Sequence, residues 1–296
     1  MRISINENYF RGAPGGLERG QFGALEAVKT GGFDTVDISM HDMQRAADDH
    51  DHEAWINKRR DFCEKIGLSV NQAHAPFVEG RRAPDIFHER LLECVRDCAV
   101  LGADCLVVHG DTWFKESYDQ WDYNEVLDTV YEVYAPAVEL GEKLGVKIAM
   151  EMLFEWLGHD GHRVRLCSKV EELDDLIAKF ASKNVGVCWD FGHASMAYGQ
   201  DQFKAMARLK SPIIATHVHD NTRRYDSHNL PYQGYINWAE GLKTLAEKDY
   251  RGDLTFEINY GCLPDPLAVE FIKYAHSIGE HLAGQFEVFR KEIHND

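Results

Sequence analysis

Seven positions draw attention because each places a metal-binding or proton-moving side chain near the end of an apolar run: His74, His109, Glu151, Asp190, His193, His217 and Glu257. Imidazole nitrogens and carboxylate oxygens ligate divalent cations and act as general acids and bases, so a gathered set of them can do both. Any one alone could simply meet water or satisfy a loop hydrogen bond. Three carboxylates brought together cannot, because Glu151, Asp190 and Glu257 would repel one another unless a cation compensated them. With His217 they make an oxygen-rich set that suits Mn2+, Mg2+ or Co2+, and Zn2+ binds the same groups. A second concentration follows directly, in His217-Val218-His219-Asp220-Asn221-Thr222-Arg223-Arg224-Tyr225-Asp226-Ser227-His228. Loops of that density usually carry chemistry.

Whether these groups meet depends on the elements that hold them. Short β-branched and aliphatic runs at 2–6, 33–39, 68–74, 105–109, 146–152, 185–190, 213–218 and 253–258 read as strands. Between and after them, apolar residues at helical spacing predict helices over 17–30, 53–66, 84–101, 124–144, 170–180, 201–209, 238–248 and 266–282. Gly31, Gly67, Gly102 and Gly145 each sit just past a helix, where a left-handed residue can end it. Strict strand–helix alternation calls for a parallel sheet, and eight strands suit a closed (β/α)8 TIM barrel. In such a barrel the C-terminal strand ends open on one face, and the residues singled out above lie at those ends. No linker, low-complexity tract or repeat interrupts the chain, so 1–296 is expected to be one domain, with the tail 284–296 extending the last helix or capping the barrel bottom.

A chain of 296 residues with 44% hydrophobic and 27% charged residues can fill one barrel core of this size. The formal charge of −17 argues against a general attraction to nucleic acid or anionic lipid. No apolar run approaches the roughly 20 residues of a membrane span, and the amino terminus leads straight into a strand. A soluble, cytoplasmic protein is the expectation. Its seven cysteines (Cys63, Cys94, Cys98, Cys105, Cys167, Cys188 and Cys262) lie mostly in apolar segments without a Cys-x-x-Cys pair, and read as reduced, buried thiols.

Several motifs together resemble the xylose isomerase-like barrel superfamily, which includes sugar isomerases, ketose 3-epimerases, inositol-catabolism enzymes and the endonuclease IV branch. They are Gln72-Ala73-His74-Ala75-Pro76, Val107-Val108-His109-Gly110, Ala149-Met150-Glu151, Trp189-Asp190-Phe191-Gly192-His193, the loop from His217 with Asp226-x-His228 and Gly234-x-Ile236-x-Trp238, and Phe256-Glu257. The resemblance implies one divalent ion on Glu151, Asp190, His217 and Glu257, with Glu151 and Glu257 doubling as acid and base. It places His193 and Arg223 on substrate oxygens and His74 and His109 beside them. A small polyhydroxy carbonyl substrate, such as a sugar, ketose or inositol derivative, would be isomerised or epimerised through a metal-stabilised enediolate. Trp113, Phe77 and Trp156, in loops after strands, could cover the apolar face of a sugar. Such relatives are often homodimers or homotetramers. In the nuclease branch the matching groups His74, His109, Glu151, Asp190, His193, His217, Asp226, His228 and Glu257 bind three zinc ions, and all nine types are present here. The segment Met152-Leu153-Phe154-Glu155-Trp156-Leu157 departs from both subfamilies, lacking the small-residue pattern of the nuclease and the glutamate that ketose 3-epimerases carry six residues after the first. A three-zinc phosphodiesterase and a barrel that binds metal and sugar without turnover are the alternatives.

Overall fold

Each β-branched run in the chain forms a strand whose side chains alternate between two environments, and that alternation builds the molecule. The computed structural model describes residues 1–8, 20–40, 51–76, 84–110, 122–155, 165–259 and 263–294. Among these residues there are eight strands: β1 (Ile3–Asn6), β2 (Thr35–Ser39), β3 (Ser69–His74), β4 (Cys105–Val108), β5 (Lys147–Glu151), β6 (Val185–Asp190), β7 (Ile213–His217) and β8 (Leu254–Phe256). They pair in parallel in the order β7-β6-β5-β4-β3-β2-β1-β8. A single parallel bridge, Val218 to Phe256, closes the ring, carried by Val218 N–H donating to the Thr255 carbonyl at 2.7 Å and Glu257 N–H donating to the Val218 carbonyl at 3.2 Å. The chain is thus a (β/α)8 TIM barrel.

Among the described residues the helices are α1 (Gly20–Thr30), α2 (His52–Ile66), α3 (Pro84–Leu101), α4 (Tyr123–Leu144), α5 (Val170–Phe180), α6 (Phe191–Tyr198), α7 (Gln202–Arg208), α8 (Trp238–Glu247) and α9 (Asp265–His294). The last runs well past Ala283, so the tail continues the helix. None is long and apolar enough to cross a membrane. Two differences from the sequence expectation matter. Helix α6 starts immediately at the end of β6, because the Asp190 carboxylate caps it by accepting from His193 N–H at 2.6 Å; no loop signal announces such a junction. Gly31 is not the left-handed residue after α1. That role falls to Gly32 (φ 106°), while Gly31 is required because a Cβ there would lie 2.1 Å from an Ile272 methyl of α9. Gly67, Gly102 and Gly145 are left-handed as expected. Strands β4 and β8 are also shorter than read, so His109 and Glu257 lie one residue beyond their ends.

The period of two explains where chemistry can sit. Leu106, Val108, Ile148, Met150, Val187, Trp189 and Phe256 pack outward in the large core beneath the helices. Cys105, Val107, Ala149, Cys188 and Ala215 form a separate small cluster inside the barrel. Two residues above Ala149, Cys188 and Ala215 on the same face come Glu151, Asp190 and His217. The six described cysteines, Cys63, Cys94, Cys98, Cys105, Cys167 and Cys188, are buried and form no disulfide; Cys262 lies outside the described residues.

Candidate metal centre and active site

Glu151, at the end of β5 and 1% exposed, is the hub. Its Oε2 accepts from His74 Nε2 at 3.1 Å and lies 3.0 Å from His109 Nε2. Its Oε1 lies 2.9 Å from His193 Nδ1 and 3.5 Å from His217 Nδ1. His217, fully buried at the end of β7, turns that same Nδ1 toward Asp190 Oδ2 at 3.5 Å and Glu257 Oε2 at 3.3 Å. One imidazole nitrogen therefore faces three carboxylates from β5, β6 and the residue after β8, and makes no hydrogen bond.

A second group adjoins it. Asp226 Oδ2 accepts from His193 Nε2 at 3.0 Å and from His228 Nε2 at 3.1 Å. His219 approaches Asp190 through Nε2 at 3.0 Å and stacks on His228 with ring centroids 4.0 Å apart. The loop carrying Asp226 and His228 is knotted by Asp220, whose carboxylate accepts from the backbone N–H of Asn221, Tyr232 and Ile236 and from the Trp238 indole. Gly234 and Gly192 permit this. A Cβ at Gly234 would lie 2.2 Å from Asp220 Oδ1, and one at Gly192 1.9 Å from the His219 ring.

Charge follows geometry. Burial pushes the Glu151 carboxyl up, but His109 and His217, with hydrogen bonds from His109 and His193, outweigh it and hold the group well below the usual carboxylate range. Asp190 is held low against burial by His193, His217 and His219, and Asp226 by His193 and His228. The histidines shift the other way. Burial opposes their charged forms, yet Asp190 and Asp226 raise His193, and Cys188, Glu257 and Glu151 raise His217. His228 rises to about 9, against burial, chiefly through Asp226 and Glu257.

The donor set fits a divalent cation. Ligand atoms of Asp190, His217 and Glu257 lie within 4.8 Å of one another, as do those of Glu151, Asp190 and His193, of His74, Glu151 and His217, and of His193, His219, Asp226 and His228. Buried carboxylates converging on an imidazole nitrogen that bonds to nothing are what a cation of this kind would satisfy.

All nine of the histidines and carboxylates singled out as candidate ligands in the sequence therefore meet in one cluster. Arg223 stands apart from it: its guanidinium donates to Ser195 Oγ at 3.1 Å and to the Tyr235 carbonyl at 3.2 Å. Trp113, Phe77 and Trp156 lie outside the described residues. Two members of the cluster went unassigned in the sequence. His219 was signalled by its spacing, since the residue two after His217 can return to the same side. Asp37 was signalled by being a carboxylate between Val36 and Ile38 inside a strand.

Comparison with known proteins places this architecture. Residues 25–276 match the family model described as xylose isomerase-like TIM barrel. An uncharacterized protein, MJ1311, of Methanocaldococcus jannaschii is 31% identical over 194 residues, 62% of each chain, and uncharacterized protein y4fM of Sinorhizobium fredii is 29% identical over 69% of this chain and 71% of its own. The match thus spans less than two thirds of the first relative's length. Among solved structures, a D-tagatose 3-epimerase-like protein superposes with a TM-score of 0.73 at 22% identity, covering 99% of this chain and 100% of its own. An L-ribulose 3-epimerase gives 0.72 at 16% identity, with 99% and 97% coverage. At these identities the structural likeness speaks to the fold, while the family model covers most of the chain: it belongs to the xylose isomerase-like TIM barrel family.

Proposed function

We propose that this protein is a metal-dependent isomerase or epimerase of a small polyhydroxy carbonyl compound, a sugar, ketose or inositol derivative. The observation that carries this reading is the convergence of Glu151, Asp190 and Glu257 on His217 Nδ1, which makes these four the residues that would hold the ion. Bound there, a divalent cation supplies electrostatic stabilisation of the oxygen charge that develops when the carbon beside a carbonyl loses its proton. The names of the structural neighbours, sugar 3-epimerases among them, point the same way.

The chain's own groups divide the remaining work. Glu151, Asp190 and His217 have at most 1% of their side-chain surface exposed, whereas Glu257 and His228 have 14% and Asp226 24%. Substrate therefore enters from the Glu257 side, and Glu257 is placed to take a proton from carbon and return it. Glu151, on β5 across the barrel, serves the opposite face, its carboxylate oriented by His74, His109 and His193. Proton return to the other face of the same carbon gives an epimer, and return to the neighbouring carbon gives an isomer. His193, buried beside Glu151 and Asp226, is assigned to a substrate hydroxyl, and Arg223, outside the cluster, to a hydroxyl that extends beyond it.

The test is a panel of ketoses, aldoses and inosose-type compounds incubated with Mn2+-loaded protein in deuterated water. Deuterium is expected at the carbon beside the carbonyl, slowed by about 100-fold or more in Glu257→Gln. Exchange at the parent rate in that variant would overturn the acid–base assignment. Ligand-induced thermal stabilisation without any exchange would instead mark a non-catalytic binder.

A second reading is favoured by one observation, the assembly of all nine groups that correspond to the three-zinc nuclease set. Elemental analysis decides it. About three tightly held zinc ions per chain together with cleavage of an abasic duplex would establish a phosphodiesterase. The net charge of −17 weighs against a protein built to bind phosphate backbones.

A further inference from the structure

Asp37 lies on β2, fully buried, on the inner face of the barrel beneath the candidate metal centre. Its Oδ2 accepts from Asn6 Nδ2 at 2.9 Å and from Gln72 Nε2 at 3.4 Å, while Oδ1 has no hydrogen-bond partner. Burial pushes its carboxyl up to about 6, opposed by the charges of His217 and His74. A fully buried carboxylate with one oxygen unsatisfied is costly unless it has a purpose or a partner.

His217 offers the partner. Its Nδ1 faces the three candidate ligand carboxylates, so Nε2 points the other way, into the barrel, where it lies 3.9 Å from Asp37 Oδ2 and makes no hydrogen bond. An imidazole that ligates through one nitrogen carries its proton on the other, and that proton is almost always given to a carboxylate, carbonyl or water. Asp37 is the only carboxylate paired with Nε2 among the described residues. Cys188 also adjoins His217, but sulfur is a weaker acceptor than a carboxylate oxygen. Closing 3.9 Å to a hydrogen bond takes a movement of about 1 Å.

We propose that Asp37 is a positioning residue of the metal centre, whose carboxylate accepts the Nε2–H of His217 and thereby holds the tautomer that presents Nδ1 to the cation. The inference rests on the metal-centre reading above. It adds a residue that touches neither ion nor substrate.

Two measurements test it. Calorimetric titration of chelator-treated full-length protein with MnCl2 is expected to show Asp37→Asn binding about 10- to 100-fold more weakly than wild type, and Cys188→Ala within about threefold. In zinc-loaded protein carrying 15N-histidine, His217 is expected to show a protonated, hydrogen-bonded Nε2, with that hydrogen bond weakened in Asp37→Asn, whose amide oxygen is a neutral acceptor, and lost in Asp37→Ala. If wild type binds no Mn2+, the metal centre itself is refuted. If wild type binds and Asp37→Asn binds equally well, Asp37 alone loses its role. Should Asp37→Asn fail to fold, the wild-type spectrum decides, because a His217 protonated at Nδ1 in the zinc-loaded protein overturns the proposal.

Discussion

At the residue scale the site is an exchange of charge between carboxylates and imidazoles. Glu151, Asp190 and Asp226 are held below the usual carboxylate range, and His193, His217 and His228 above the usual histidine value, each set by the other. The signs have separate consequences. The depressed carboxylates contribute stability that is present above their unfolded values near 4 and is lost as pH falls through the folded ones. The raised histidines contribute stability that is full below 6.5 and is lost as pH rises, for His228 through about 9. Chelator-treated protein is therefore expected to melt lower, by on the order of 5 °C, at pH 9 than at pH 6.5. Over the same interval Mn2+ should bind more tightly, because a ligating histidine must first give up its proton. Calorimetry in buffers of different ionisation enthalpy reads the proton release directly. Binding that is independent of pH between 6.5 and 9 would show these histidines to be neutral already.

Among the elements, the segment from β7 to α8 does the most to assemble the site. Glu257 is held by its N–H on the Val218 carbonyl, and its own carbonyl lies 2.8 Å from His228 Nδ1, so the bridge that closes the barrel also sets the distance between Glu257 and His217. Asp220 ties the intervening loop with four donors, two of them the buried Ile236 N–H and Trp238 indole. Asp220→Ala leaves those donors without an acceptor. It is expected to cost about 3 kcal/mol in chemical denaturation and to loosen Asp226 and His228 as a pair. Near-wild-type stability in that variant would mean that Pro231 to Trp238 packing, rather than the carboxylate, shapes the loop.

For the whole molecule, the acidic surface and the acidic mouth act together. A charge of −17 favours collection of cations and disfavours polyanions. A cation that binds only the folded chain must stabilise it, by about 2.7 kcal/mol at one hundred times its dissociation constant, which for a chain of this length raises the melting temperature by about 4 °C. Thermal melts with increasing MnCl2, reversed by a chelator, measure this. A melting temperature that ignores millimolar Mn2+ would contradict a metal centre at the barrel mouth.

Much of this was legible in the residues. Period-two alternation and helical spacing marked all eight strands and the main helices, and β6, α3 and α5 match the expected boundaries. The placement of His74, Glu151, Asp190 and His217 at strand ends followed from those limits, because a barrel forces strand ends to one face. The sequence could not show α6, since its cap is the same Asp190 that ends β6, and a side chain's second role leaves no mark in spacing. Nor could it show which groups touch. That Glu151 is encircled by four histidines, that His219 completes the second group and that Asp37 lies beneath His217 depend on the curvature that brings distant strands within a few ångströms. Periodicity determines which face of a strand a residue occupies; only closure of the sheet determines what it meets there.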